Sequence, residues 1–186
     1  MAATVCYIPW SLKLSNDVKT TIIAILTSAA MATPITSPES PSTTSNPQTN
    51  HWCLLCQLSD TEFVCVDPSP TGPNSSLQLL ISTTADLSTK TSAKTCSLTT
   101  QNLTVESLLD RIKSTSYDKY QFTPGGQGCR YWVSCLIELL TKQGCLIDQN
   151  EVRAATGALK YVWGGGGAIL PADVQSSICE GRFYGC

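Results

Sequence analysis

The middle of the chain consists of short apolar runs separated by polar turns, a pattern that favours folds built on an antiparallel sheet. The runs Trp52 to Gln57 and Glu62 to Val66 flank the turn of residues 58–61, which is typical of a β-hairpin. Residues 77–83 (LQLLIST) and 95–98 (TCSL) predict two further strands. We therefore expect a small antiparallel sheet of about five strands.

Helical spacing of apolar residues follows later in the chain. Thr104 is suited to cap a first helix, and a second begins at Cys129, directly after a glycine-rich turn. Asp148 and Glu151 predict a capping box for a last helix that reaches Trp163, after which four glycines break the chain. These helices would pack against the sheet.

The first fifty residues predict a strand, a helix and a loop. Residues 4–11 suit a short edge strand, and residues 17–32 an apolar helix. Residues 34–50 contain four prolines and one large apolar residue, which predicts a mobile loop. The expected fold class is α+β, with the sheet packed against three to four helices. One domain would cover residues 1–186: strand and helix in 1–33, the mobile loop in 34–50, and the core that carries the site in 51–186.

Composition and charge exclude several partners. Hydrophobic residues make up 42% of the 186, enough for a core, and the formal net charge of -2 lacks the basic excess of a nucleic-acid binder. The apolar run of residues 22–33 is too short to span a bilayer. As the core of a signal peptide it is disfavoured, because residues 4–12 look like folded chain. We expect a cytoplasmic protein without a membrane span, acting on a small molecule.

The ten cysteines are scattered singly through apolar runs, which is typical of buried thiols rather than of a disulfide scaffold. Cys53 and Cys56 form a C-x-x-C pair. On a strand, however, a separation of three places the two side chains on opposite faces. No second pair supplies zinc ligands. The sequence therefore predicts neither a metal site nor a cofactor.

His51 is the only histidine, so any imidazole-dependent mechanism must use it. An unperturbed pKa of about 6.5 suits a general base, although a lone histidine is also commonly a hydrogen-bonded edge residue. Asp67 ends the strand that pairs with the His51 strand, so its carboxylate is a candidate to orient the imidazole. The alternative for Asp67 is to cap a turn with Pro68.

Cys129 is the candidate nucleophile, because the start of a helix favours a thiolate. Gly128 would leave the backbone open to close approach by a substrate. The Cys129 backbone N–H and the Gln127 side chain are candidate donors to an oxyanion. The alternative is that Cys129 is a small residue packed under the helix.

Three further residues are candidates for substrate binding. Arg130 would bind a carboxylate or phosphate, or else face solvent. Tyr131 and Trp52 would help to hold the substrate as aromatic walls.

Several segments resemble a fungal family of uncharacterised proteins. In that family an NHW segment, a strand ending in Asn or Asp, a Y-x-F segment, a GCRFWV segment and a G-x-F-aromatic close occur in this order. The corresponding residues here are Asn50-His51-Trp52, Val66-Asp67, Tyr120-Gln121-Phe122, Gly128 to Val133 and Gly181 to Tyr184. The resemblance spans most of residues 50–184. By analogy it implies a role in fungal secondary metabolism, where small proteins fold reactive chains into rings.

A histidine on an early strand followed by a cysteine at a later helix start is similar to the permuted papain-like enzymes, including lecithin:retinol acyltransferase-type proteins. That resemblance implies a permuted papain-like fold in which Cys129 attacks an acyl carbonyl, His51 is the base and Asp67 orients it. After the cysteine, this chain has Arg130-Tyr131 where the acyltransferases have Glu-His. The lipid substrate of those enzymes is therefore in doubt here.

The sequence thus predicts a cysteine-dependent enzyme that transfers or hydrolyses a small acyl, amide or thioester substrate. A second hypothesis is a cofactor-free cyclase or isomerase of fungal secondary metabolism. In it, His51 and Asp67 move protons and Cys129 only lines the pocket. A third is a binding module without chemistry.

Overall fold

The computed structural model describes residues 5–7, 20–35, 47–71, 76–84 and 92–184. Within these ranges the chain forms ten strands and three α-helices. The strands are β1 (Val5–Tyr7), β2 (Ala24–Ala30), β3 (Thr33–Pro34), β4 (Gln48–Thr49), β5 (Trp52–Gln57), β6 (Phe63–Thr71), β7 (Ser76–Thr84), β8 (Ser92–Thr99), β9 (Tyr120–Gln121) and β10 (Arg182–Phe183). The helices are α1 (Val105–Ser114), α2 (Cys129–Lys142) and α3 (Gln149–Ala158).

Eight of the described strands form one sheet in the order β10-β9-β7-β6-β5-β2-β8, with β1 also paired to β7. Its strand pairs are antiparallel except for β1 with β7. The predicted α+β class and the β5–β6 hairpin are confirmed. The sheet exceeds the expected five strands because β2 and the two-residue strands β9 and β10 join it.

The core lies between the sheet and the helices. Helix α2 contacts β5 and β6, and α3 contacts β8 and α2. Alternate residues of the hairpin are buried in the same core as the apolar side of α2, as the spacing in both segments predicts. The buried residues of α2 are Cys129, Arg130, Trp132, Val133, Leu136, Ile137 and Leu140. Packing against the hairpin therefore fixes the position of the α2 N-terminus.

The helix predicted over residues 17–32 is wrong in its described part, because β2 lies there, paired with both β5 and β8. Residues 17–19 lie outside the described residues. A short, continuous apolar run lacks the hydrophobic periodicity by which a helix is distinguished from a strand. The β-branched residues Ile23, Ile25 and Thr27 suit a strand, and the pairing on both sides decides the outcome.

The predicted mobile loop over residues 34–50 is described only at its two ends. There β3 and β4 pair with each other, Thr33 with Thr49 and Pro34 with Gln48. Residues 36–46 lie outside the described residues. The ladder places Thr33 and Thr49 close to His51. Of the edge strand predicted over residues 4–11, the described part is β1.

The two predicted helix caps differ in outcome. Thr104 caps α1 in a capping box with Ser107. Asp148 caps α3, but Glu151 does not complete a box, because its carboxylate accepts hydrogen bonds from Thr99 N at 2.6 Å and Thr99 Oγ1 at 3.1 Å. Helix α3 ends at Ala158, short of the expected Trp163. No helix in the described parts of the chain is long and apolar enough to cross a membrane.

Candidate active site

The β5–β6 hairpin brings His51 and Asp67 together. His51 immediately precedes β5, and its Nε2 lies 2.6 Å from Oδ1 of Asp67 in β6. The same oxygen accepts a 3.0 Å hydrogen bond from Ser69 Oγ. Strand β6 continues past Asp67 in register with β7, so the alternative turn at Asp67-Pro68 is wrong. The carboxylate is thus held by two donors and faces the imidazole.

Cys129 is the first residue of α2, and it is 8% exposed. Its Sγ donates a 3.7 Å hydrogen bond to the backbone oxygen of Asn50 and lies within hydrogen-bonding reach of the His51 ring. One imidazole therefore lies beside both the carboxylate and the thiol.

These neighbours change the protonation of His51. Burial lowers its pKa, but hydrogen bonds to Asp67 and Cys129, with the negative charges of both, outweigh burial and raise the pKa from 6.5 to about 10. The ring is therefore protonated at neutral pH. In this state it is an acid rather than the neutral base that its ordinary pKa would suggest.

This raised pKa predicts a pH dependence of stability. The folded protein holds the His51 proton more tightly than the unfolded chain, so the added stability is fully present below about pH 6.5 and is lost as pH rises towards about 10. We expect the urea midpoint of the native protein to fall over this range relative to that of His51→Gln. Parallel pH curves for the two proteins would contradict the assignment, and Asp67→Asn should give an intermediate curve.

Asn50 anchors the chain next to the histidine, a role that the sequence did not indicate. Its side chain is fully buried and donates to the carbonyl oxygens of Ala30 at 2.8 Å and Trp163 at 2.9 Å. Its Oδ1 accepts from Trp163 N at 2.7 Å. These bonds tie Asn50 to two separate parts of the fold, so its backbone oxygen, which accepts the hydrogen bond from the Cys129 thiol, has a fixed position.

Tyr120 requires a glycine at position 128. Gly128 has φ +143°, and a Cβ there would lie 2.6 Å from Tyr120 Oη. That hydroxyl donates to Gly128 O at 3.0 Å and accepts from Gly181 N at 2.9 Å. A Cβ on Gly181 would also overlap the Tyr120 ring. The two glycines therefore let one buried tyrosine brace the start of α2.

The start of α2 presents free donors. No side chain caps Gly128, so the first-turn N–H groups, including that of Cys129, have no partner within the helix. Gln127 lies beside them, and its Oε1 accepts a 2.6 Å hydrogen bond from the Cys179 thiol. The amide Nε2 is therefore the end of Gln127 left to donate to a ligand. Both predicted oxyanion donors border the same cavity.

Two of the predicted binding residues, Trp52 and Tyr131, do not line the cavity. Trp52 is fully buried in the core, with an indole N–H that finds no partner among the described residues. Tyr131 packs on Phe183, with ring centroids 6.3 Å apart. Neither ring lines the cavity, because alternation along β5 turns Trp52 towards the core and α2 turns Tyr131 towards the C-terminal segment.

Arg130 is 4% exposed, so the expectation that it faces solvent is wrong. Its guanidinium donates to Ser176 O at 3.0 Å, Ser176 Oγ at 2.7 Å and Ser177 O at 2.7 Å. All three bonds are made by Nη2, and Arg130 also borders the cavity described below. Arg130 thereby fastens the C-terminal segment to α2.

A cavity of about 230 Å³ opens at this place. It is smaller than the roughly 300–1,000 Å³ typical of sites for drug-sized ligands. Its lining includes His51, Gln127, Cys129, Cys179 and the β3–β4 ladder, so polar groups converge in it. No group of three or more His, Cys, Asp or Glu side chains among the described residues is arranged to hold a metal ion.

The sequence missed two site residues, Asn50 and Cys179. Asn50 directly precedes His51 in the sequence, and this adjacency could have indicated that it belongs to the site. Cys179 lies 52 residues after Gln127 and has no local pattern that marks it. Only the return of the C-terminal segment to α2 brings Cys179 to the cavity.

Comparison with known proteins gives one match. A protein-family model described as Domain of unknown function (DUF7770) matches residues 32–184, a span that contains every residue of the site. The chain matches none of the curated proteins and none of the solved structures with which it was compared.

Proposed function

The chain belongs to this family, and we propose that it is a thiol-dependent hydrolase or acyltransferase for small acyl, amide or thioester substrates. The observation that carries the proposal is the placement of one imidazole beside both the Asp67 carboxylate and the Cys129 thiol, at an uncapped helix N-terminus inside a cavity. Nucleophile, proton carrier and orienting group are the three parts that covalent acyl transfer requires. Their order along the chain is similar to that of the permuted papain-like enzymes.

In the first half-reaction the Cys129 thiolate attacks the substrate carbonyl carbon, and the C=O electron pair becomes an oxyanion. The Cys129 N–H and Gln127 Nε2 are positioned to donate to that oxygen. When the intermediate collapses, the leaving group departs with the proton of the His51 imidazolium. The products are a Cys129 thioester and a neutral imidazole.

Acylation itself prepares His51 for the second half-reaction. The hydrogen bond and charge of Cys129 contribute to the raised pKa of His51. Both disappear when the sulfur becomes a thioester, so the pKa of His51 falls and the ring becomes a better base. It then takes a proton from water, or from an acceptor alcohol or amine, as that molecule attacks the thioester. Collapse releases the acyl product and restores the thiolate-imidazolium pair.

The dimensions of the cavity indicate a small substrate. About 230 Å³ holds a short acyl group with little room for a long chain. Arg130 also lines the cavity, and the hydrogen bonds of its guanidinium to Ser176 and Ser177 go to neutral oxygens, so its positive charge is not neutralised. The cavity therefore suits a short acyl group, uncharged or anionic.

The test is acetylation by p-nitrophenyl acetate. We expect the native protein to release a rapid burst of nitrophenolate equal to the enzyme concentration. Peptide mapping should place a single acetyl group on Cys129. Cys129→Ala should lose the burst, while Cys135→Ala, a matched change of a half-buried cysteine on the same helix, should keep it.

Acetylation spread over several cysteines at equal rates, or none on Cys129, would overturn the proposal. The evidence would then shift towards the cyclase or isomerase hypothesis. That mechanism uses His51 and Asp67 for proton transfer and requires a neutral ring near pH 7. The raised pKa of His51 makes it the less supported of the two hypotheses.

A further inference from the structure

We propose that Cys179 is a positioning residue that holds the Gln127 amide in the orientation needed to stabilise the oxyanion. Cys179 Sγ donates to Gln127 Oε1 at 2.6 Å, and both side chains line the cavity. With Oε1 engaged, Nε2 becomes the end of the amide that faces a ligand. This inference rests on the proposed function, since it assigns a residue to that reaction.

The main chain alone does not fix the Gln127 amide. Gln127 belongs to the turn before α2, where its backbone N–H donates to Thr123 Oγ1 at 3.1 Å and its carbonyl accepts from Thr123 N at 2.9 Å. These bonds hold the backbone but leave the side-chain torsions free. The only hydrogen bond to the amide among the described residues comes from Cys179. An amide that is not held must be oriented during the reaction, so it is not a preorganised donor to the oxyanion.

Cys179 is itself held by the segment that carries it. Arg130 binds Ser176 and Ser177 just before it, and just after it Gly181 N donates to the Tyr120 hydroxyl. Arg130 and Tyr120 both also brace the start of α2. The thiol of Cys179 and the N-terminus of α2 therefore keep a fixed separation, as a preorganised oxyanion site requires.

Two reactions of the same sulfur separate this role from a merely structural one. Alkylation of Cys129 by iodoacetamide displaces iodide and forms no oxyanion, whereas acetylation by p-nitrophenyl acetate passes through one. Cys179→Ala should therefore slow acetylation of Cys129 by about tenfold or more and leave its alkylation rate unchanged, given that removing a whole oxyanion donor costs roughly 100- to 1,000-fold. Cys179→Ser keeps a donor at this position and should restore most of the acetylation rate.

The control is Cys96→Ala, a half-buried cysteine of β8 that does not line the cavity, which should change neither rate. If Cys179→Ala leaves both rates unchanged, or slows both equally, Cys179 does not position the amide. Gln127→Ala should remove the effect of Cys179→Ala, because the amide it would orient is gone. If Cys129 of the native protein is alkylated rapidly but never acetylated, the proposed function fails, and this inference fails with it.

Discussion

Replacing His51 with Ala is expected to slow acetylation of Cys129 by phenyl acetate by about 100- to 10,000-fold, because phenoxide, unlike p-nitrophenoxide, leaves readily only with a proton and the variant lacks the proton carrier. Alkylation of Cys129 by iodoacetamide at pH 7 should fall less, by about tenfold, because an ordinary thiol is still a few per cent thiolate at this pH. Raising the pH to 9 should restore alkylation by supplying the thiolate directly, but it should not restore acetylation to the native rate. Stopped-flow absorbance and peptide mass mapping measure the two rates.

The contrast between the two reactions identifies what His51 does. If the ring only stabilised the thiolate, both reactions would fall by the same factor and both would recover at high pH. If it only held the fold together, near-ultraviolet circular dichroism would change along with the rates. Asp67→Asn offers a milder change, since an amide can still accept the hydrogen bond but carries no charge. We expect it to lower acetylation less than His51→Ala does.

Local patterns were sufficient to predict the centre of the site. The hairpin follows from two short apolar runs around a polar turn, and the start of α2 follows from the glycine-rich turn and the apolar spacing after Cys129. The candidate histidine could be identified without a structure, because His51 is the only histidine in the chain. Asp67 followed from strand pairing alone. Each of these inferences depends on residues within about twenty positions of one another.

The surroundings of the site could not be predicted in this way, because they depend on contacts between distant segments. Asn50 bonds to Trp163, 113 residues away, and Arg130 bonds to Ser176, 46 residues away. A charged residue beside a candidate nucleophile favours a substrate-binding role, and nothing in the sequence indicates that carbonyl oxygens of a later segment will surround it. The helix prediction for the β2 segment was wrong for a related reason, since pairing with β5 and β8 outweighs any local preference.

Gly128 is required by its contact with Tyr120, eight residues earlier, and its replacement should strongly destabilise the fold. Gly128→Ala is expected to lower the free energy of unfolding by about 3 kcal/mol, from the strain of a positive φ in a residue with a side chain and from overpacking against Tyr120. Gly144→Ala is the matched control, because it also has a positive φ but meets nothing within 4 Å. It should cost about 1 kcal/mol. Gly157→Ala, inside α3 and in open space, should stabilise by roughly 0.5–1 kcal/mol.

Urea unfolding of the three variants separates the strain of a positive φ from the overlap between the new Cβ and Tyr120. A further substitution tests whether the Tyr120 hydroxyl causes that overlap. Tyr120→Phe removes the hydroxyl that the new Cβ would strike, so it should cost less in the Gly128→Ala background than in the native protein. Equal costs in both backgrounds would mean that Tyr120 does not require a glycine at position 128. The same conclusion would follow if Gly128→Ala lowered the free energy of unfolding no more than Gly144→Ala does. If the overlap is real, the alanine variant should also lose rapid alkylation of Cys129, because displacing Tyr120 moves the start of the helix that holds the sulfur beside His51.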